Sequence, residues 1–263
     1  MRANPLVEAP PDDHLLAHDL ATRAGELLLE LRAEAGESAA ERWKLRDAGD
    51  LDSHHFLVDA LRDARPDDRV LSEEGAEDRL RLGAHRVWIV DPLDGTREFG
   101  ELGRTDWAVH VALVIDDQLA AGAVALPAVG ITYSTAEPPV AVAAHDGAPR
   151  FVVSRSRPHP ATLMAAEVLG AELVPMGSAG AKAMAVVRGE VDVYAHAGGQ
   201  YEWDSAAPAA VAIAAGLHVS GVDGSTLSWN KPDPWQPHLL IARADLGEPV
   251  AAAVRDAVSS IEG

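Results

Sequence analysis

The 263-residue chain predicts a layered α/β fold, and three features of its patterning carry that prediction. Two stretches near the start repeat apolar residues at helical spacing. From Arg86 the texture changes to short apolar runs parted by turns, and beyond Gly147 strand-like and helix-like segments alternate. The first half therefore reads as an antiparallel sheet with helices and the second as a mostly parallel α/β sheet.

Between Asp12 and Ala35, the residues Leu15, Leu16, Leu20, Ala24, Leu27, Leu28 and Leu31 recur at three-and-four spacing behind an Asp able to cap. That is an amphipathic helix. Phe56, Leu57, Ala60 and Leu61 predict a second helix over 53–64, closed by Pro66. Strands are expected at 87–90, 107–115, 119–126 and 131–135, close enough in sequence to pair as an antiparallel meander. After His145-Asp146-Gly147, strands at 151–153, 173–175, 191–194 and 239–242 alternate with helices at 160–169, 181–188, 204–215 and 248–258. The change of rhythm divides the chain into 1–147 and 148–263.

A hydrophobic content of 48% fills a substantial core. With no cysteine, disulfides, thiolate zinc and a cysteine nucleophile are excluded. The formal charge of −19 repels nucleic acid and anionic lipid. An anionic substrate would then need a local inversion of charge, which divalent cations supply. No signal peptide or membrane span is apparent, so a soluble cytoplasmic protein is expected.

The densest polar information is Asp91-Pro92-Leu93-Asp94-Gly95-Thr96, directly after an expected strand. Two carboxylates around a tight turn can converge on one point, joined by the Leu93 carbonyl, as hard oxygen ligands suited to Mg²⁺ or Mn²⁺. Gly95 and Thr96 offer N–H groups and a hydroxyl to a phosphate oxygen. A surface turn would have the same composition. Two further acidic segments weigh against that: Glu73-Glu74, and Glu202-Trp203-Asp204 at the start of a helix. With no Cys, Ser or His nucleophile motif, direct attack of water on phosphorus is expected rather than a covalent phosphoenzyme.

The three segments, in this order and spacing, resemble those of the inositol monophosphatase family of Li⁺-sensitive, Mg²⁺-dependent phosphatases, and the likeness runs to Trp229-Asn230-Lys231-Pro232. The resemblance implies an α-β-α-β-α sandwich. It makes Glu73, Asp91, the Leu93 carbonyl, Asp94 and Asp204 ligands for roughly two to three Mg²⁺ ions per site, with Mn²⁺ as a substitute. It also implies that Glu73 and Thr96 orient the attacking water while Asp50 accepts a hydrogen bond from Thr96. Asp47 and Asp52 compete for the Asp50 position, because Arg46-Asp47-Ala48-Gly49-Asp50 replaces the family's usual run there.

Arg97-Glu98-Phe99, Val153-Ser154-Arg155-Ser156, Gly177-Ser178 with Lys182, and Gln200-Tyr201-Glu202-Trp203-Asp204 are similar to the CysQ group, which acts on 3′-phosphoadenosine 5′-phosphate (PAP). Gly95, Thr96, Arg97, Arg155, Ser178 and Lys182 are then the candidates for holding substrate. An inositol phosphatase or a fructose-1,6-bisphosphatase is the alternative within the family, and a catalytically silent metal or nucleotide binder the alternative outside enzymes. The partner is a small phosphate ester, and the assembly a monomer or homodimer. His54, His55, His110, His145, His196 and His218 read as structural or solvated, and Trp107, Trp203, Trp229 and Trp235 as core or lid aromatics, with Tyr201 or Trp229 able to line an adenine pocket. Segments 98–106 and 221–237 are candidate lids.

Overall fold

The computed structural model describes residues 5–36, 38–140 and 147–262, the side chains of 39 and 262 excepted. His145 and Asp146 lie outside the described residues. Helices α1 (Pro11–Ala33) and α2 (Ala39–Ala64) cover one face of a sheet made of β1 (Arg69–Ser72), β2 (Arg86–Asp94), β3 (Ala108–Ile115), β4 (Gln118–Leu126) and β5 (Ile131–Ser134). These strands lie side by side in chain order. Only β1 and β2 run parallel; the remaining pairs are antiparallel, as the meander predicted. A short helix, α3 (Thr96–Phe99), follows β2.

The second half contributes β6 (Arg150–Ser154), α4 (Pro160–Val168), β7 (Glu172–Met176), α5 (Ala179–Val187), β8 (Val193–His196), β9 (Gln200–Tyr201), α6 (Glu202–Ala214), β10 (His218–Ser220), β11 (Trp235–Gln236), β12 (Leu239–Ala242) and α7 (Gly247–Glu262). Its sheet has the order β10-β12-β8-β6-β7. The β6–β7 and β6–β8 pairs are parallel, as the strand–helix alternation predicted, while β12 runs antiparallel to both β8 and β10. Strand β12 is reached from β10 through the loop that carries β11 rather than through a helical crossover, and this frees it to run antiparallel to its neighbours.

Helices α5 and α6 lie between the two sheets and α4 and α7 close the outer face, giving the sequence of layers α-β-α-β-α. Strands β2, β3 and β4 are therefore covered on both faces, which is why they read as continuous apolar runs rather than alternating ones. The inner layer tolerates this closeness because α6 is built of small residues: Ala207 and Ala210 meet β4 at Gly122, where an added Cβ would come within 2.7 Å of Ala210 Cβ.

Two helix starts differ from expectation. Helix α1 begins at Pro11 without a side-chain cap, and Asp13 instead turns inward to Arg65 and Arg86. Helix α2 begins at Ala39 rather than Ser53, under a capping box in which Ser38 Oγ accepts the Glu41 N–H at 3.2 Å and Glu41 Oε2 accepts the Ser38 N–H at 3.1 Å. Asp50 consequently lies inside α2, not ahead of it.

Candidate active site

Strand β2 pairs Asp91 with His110 and Asp94 with Ala108 on β3, so three steps on one strand match two on the other. Residues three apart on a regular strand face opposite ways; the extra residue of this bulge returns Asp94 to the face of Asp91. The Asp204 carboxylate joins them from the first turn of α6, held by the Tyr201 N–H at 2.6 Å. One ligand oxygen from each of Asp91, Asp94 and Asp204 lies within 4.8 Å of the other two. Strand β1 runs beside β2, with Ser72 opposite Val90, which brings Glu73 to the level of Asp91. Glu73 is open to solvent on its outer side and meets these carboxylates on its inner side.

The electrostatics follow from the crowding. Burial pushes the Asp91 carboxyl well above its ordinary range, and the charges of Glu73, Asp94 and Asp204 push it further. Burial and the neighbouring carboxylates raise Glu73 to about 7, and burial with Asp94 raises Asp204 to about 6. Asp94 goes the other way. Its burial opposes charge, but His110, Ser178 and Lys182 outweigh it and hold the carboxyl below the usual range. Asp94 accepts N–H groups from Ala179 at 3.1 Å and Gly180 at 2.6 Å, at the start of α5, and the Ser178 hydroxyl at 2.5 Å. Buried, convergent, mutually repelling oxygens of this kind match a hard divalent cation.

Thr96 ties this centre to α2. Its hydroxyl lies 3.1 Å from Asp50 Oδ1 and 3.1 Å from the Leu93 carbonyl, while Asp47 and Asp52 are exposed. The approach depends on Gly49, where a Cβ would meet Phe99 and Leu93 at 2.8 and 2.9 Å. Burial lifts Asp50 to about 7, aided by Glu74 and Asp47 and opposed by the Thr96 bond. Gly95 makes the turn into α3 with φ of 85°. Arg97 points outward onto Glu101 at 3.3 Å, beside a hollow of about 660 Å³ that Arg42 and Arg46 also line.

These features decide the family. A model of the inositol monophosphatase family matches residues 13–259. The chain belongs to the inositol monophosphatase family. It is 49% identical over 261 residues to the 3′-phosphoadenosine 5′-phosphate phosphatase of Mycobacterium leprae, covering 95% of this chain and 96% of that one. With the 3′(2′),5′-bisphosphate nucleotidase CysQ of Escherichia coli K12 it shares 33% identity over 193 residues, which is 69% of this chain and 78% of the other. Among solved structures, CysQ from Bacteroides thetaiotaomicron superposes with a TM-score of 0.74 at 28% identity, covering 89% of this chain and 97% of that one. Inositol monophosphatase II from Staphylococcus aureus shares the fold, with a TM-score of 0.75 at 18% identity over 90% and 92% of the two chains.

Within this family member, the expected substrate residues fall in different places. Ser178 caps α5 through the Ala181 N–H at 3.0 Å and donates to Asp94, so its hydroxyl supports the carboxylate cluster. Lys182 is buried in the second turn of α5, donates to the Ser178 carbonyl at 2.6 Å and sits 5.2 Å from the Tyr194 ring. Arg155 is taken up by Glu98 at 2.6 Å and Glu101 at 2.9 Å, which pins α3 to the second sheet.

Segment 98–106 is tied further by Arg32, which bonds the carbonyls of Glu101 at 2.7 Å and Arg104 at 2.8 Å. Segment 221–237 is latched by buried Glu202, which accepts the N–H groups of Asn230 at 2.7 Å and Lys231 at 3.0 Å. Trp229 is a core residue, 5% exposed. His110 is the residue the sequence reading undervalued. It is wholly buried at the centre, with Nδ1 2.9 Å from the Trp203 carbonyl and Nε2 3.2 Å from Asp94 as a misaligned ion-pair contact. Pairing β2 with β3 places it opposite Asp91, and that register was the available signal.

Proposed function

We propose that this chain is a Mg²⁺-dependent phosphomonoesterase that removes the 3′-phosphate of PAP, giving AMP and phosphate, in support of sulfate assimilation. The convergence of Asp91, Asp94 and Asp204 within 4.8 Å carries the reading, joined to the likeness to phosphatases named for that nucleotide. About two to three Mg²⁺ ions, or Mn²⁺ in their place, would be held by Glu73, Asp91, the Leu93 carbonyl, Asp94 and Asp204. When bound, they supply positive charge against the phosphoryl oxygens and lower the pKa of water.

The chain's own residues divide the remaining work. Thr96 donates its hydroxyl proton toward Asp50, which leaves the threonine oxygen free to accept a hydrogen from the attacking water. Glu73 accepts the second hydrogen from the open side of the site. Asp50, partly buried beside Thr96, is the carboxylate placed behind the threonine hydroxyl to receive its hydrogen. The N–H groups of Gly95 and Thr96 hold phosphate oxygens at the start of α3, Arg97 supplies positive charge at the rim, and Asp204 lies on the side of the departing oxygen. Among the described residues no helix is long and apolar enough to cross a membrane, and we place the enzyme in the cytoplasm as a monomer or homodimer.

The decisive experiment compares kcat/KM for PAP, inositol 1-phosphate and fructose 1,6-bisphosphate, with Mg²⁺ and after chelation. PAP should lead by at least about tenfold, a gap of about 1.4 kcal/mol, and chelation should abolish turnover of all three. A lead by either competitor overturns the substrate assignment, and unaltered turnover under chelation overturns the metal dependence. Millimolar Li⁺ should inhibit.

A further inference from the structure

Along α2, Arg42, Arg46 and Asp50 stand four residues apart and so share one stripe of the helix. Asp50 meets the Thr96 hydroxyl of α3 at 3.1 Å, and one turn earlier Arg46 reaches the same short helix. Its Nη2 donates to the Arg97 carbonyl at 3.2 Å, and its stem lies over Gly100, where an added Cβ would meet Arg46 Cγ at 2.9 Å. Arg42, a further turn out, completes with Arg46, Arg97, Glu101 and Leu102 the hollow of about 660 Å³ beside α3. By helix rise Arg42 lies about 12 Å along α2 from Asp50. Gly49, packed against Phe99 and Leu93, walls the hollow off from the carboxylate cluster.

The chemistry of this hollow is one-sided. Three guanidiniums share it with one carboxylate, and that carboxylate is committed: Glu101 takes Arg155 at 2.9 Å and Arg97 at 3.3 Å. In a chain of 22 basic and 41 acidic residues, converging positive charges run against the overall balance. Arg46 Nε is out of solvent and has no acceptor among the described residues. A donor left so is unfavourable until an acceptor arrives, and guanidinium forks suit the oxygens of a phosphate or sulfate group. Leu102 is the one apolar lining residue, and no aromatic ring among the described residues lines the hollow, so charge rather than an aromatic face recognises its ligand.

We propose that the hollow is a second anion site, taking a phosphate or sulfate dianion on Arg42, Arg46 and Arg97, and that the bound ion clamps α3 to α2. Thr96 and Asp50 belong to those same two helices, so the ion braces the contact that orients the Thr96 hydroxyl. An anion outside the carboxylate cluster thereby steadies a residue inside it.

The test titrates sodium sulfate into the holoenzyme with Mg²⁺ at pH 8, ionic strength held constant with sodium chloride, and follows binding by calorimetry. Wild type and Arg62→Glu, the same charge change at the far end of α2, should bind sulfate alike. Arg42→Glu should bind at least about tenfold more weakly, the scale of one lost hydrogen bond to a charged group. Sulfate should also slow hydrogen exchange at the Phe99 and Gly100 N–H groups, which bond the Gly95 and Thr96 carbonyls, in wild type and not in Arg42→Glu. Equal affinity in wild type and Arg42→Glu places sulfate at the cation centre and overturns the site; binding without slower exchange overturns the clamp. Methylphosphonate, a dianion whose carbon substituent cannot be hydrolysed away, separates the sources. Affinity matching that of sulfate assigns the hollow to phosphate esters, and affinity about tenfold lower assigns it to the free ion.

Discussion

At its first residue, β2 carries Arg86, whose guanidinium bonds Asp68 at 2.9 Å and Asp13 at 3.0 Å; at its last it carries Asp94, gathered with Asp91 and Asp204. The first cluster is complete in itself. Asp13 also takes Arg65 at 2.8 Å, and Asp68 takes the Trp88 indole N–H at 2.8 Å, so both carboxylates meet donors on two sides. The second cluster is incomplete. His110 and Lys182 sit near Asp94, but Asp91 and Glu73 face chiefly other carboxylates. Similar residues on one strand thus do opposite work: the paired end holds α1 and α2 to the sheet, while the crowded end stores repulsion that a cation relieves.

Breaking each end should separate these roles. Asp94→Asn removes a charged ligand without changing volume, and phosphate release from PAP should fall by at least about a hundredfold, the upper range for losing even an outer partner of a metal site. Circular dichroism should stay native; near-normal turnover would show that the crowded end is not the catalytic centre. Asp13→Ala removes a partner from two partly exposed guanidiniums, one of which keeps Asp68, and should destabilise by about 1–3 kcal/mol in denaturant titration, with the activity of the folded fraction retained. A loss of specific activity at full folding would mean that the two ends are coupled.

The pH dependence of stability sharpens the same contrast. In the cation-free protein Asp50 and Glu73 lie at about 7 and Asp204 at about 6, above the ordinary carboxyl value of about 4. Between those limits the folded chain holds more protons than the unfolded chain, so these groups make stability fall as pH rises from about 4 to about 7. On the proposed assignment Mg²⁺ would bind the deprotonated carboxylates and should reverse that loss. Melting scans should show a larger rise in Tm from Mg²⁺ at pH 8 than at pH 5. An equal rise at both would place the cation elsewhere.

How much of this was legible in the sequence depended on range. The Asp91–Thr96 motif announced itself because its residues are contiguous, and most expected strands and helices occur where periodicity put them. The first half of α2 escaped because between 40 and 52 Leu45 is buried while Trp43 and Leu51 are exposed, which leaves no apolar stripe, although the Ser38–Glu41 capping signature was there to read. The short strands β9, β10 and β11 have too few residues to show a period. The engagements of Arg155 and Lys182, with Glu98 and Glu101 and with Ser178, were not legible because they depend on how α3 and α5 meet the two sheets. His110 gains its meaning only from the β2–β3 register.

The smallest expected effect tests how the crowded end is braced. Ser178 has a left-handed φ of 51°, unusual for a residue with a side chain, while its hydroxyl caps α5 and donates to Asp94. Ser178→Ala loses both bonds and keeps the strained backbone, for a cost of about 1–2 kcal/mol. Ser178→Gly loses the same bonds but occupies that φ freely, so it should be the milder change by about 0.5–1 kcal/mol in denaturant midpoint. Both variants should raise the Mg²⁺ concentration needed for half-maximal activity, because Asp94 then lacks one of the donors that fix it. If glycine proves as destabilising as alanine, the left-handed backbone carries no strain, and Ser178 acts through its hydroxyl alone.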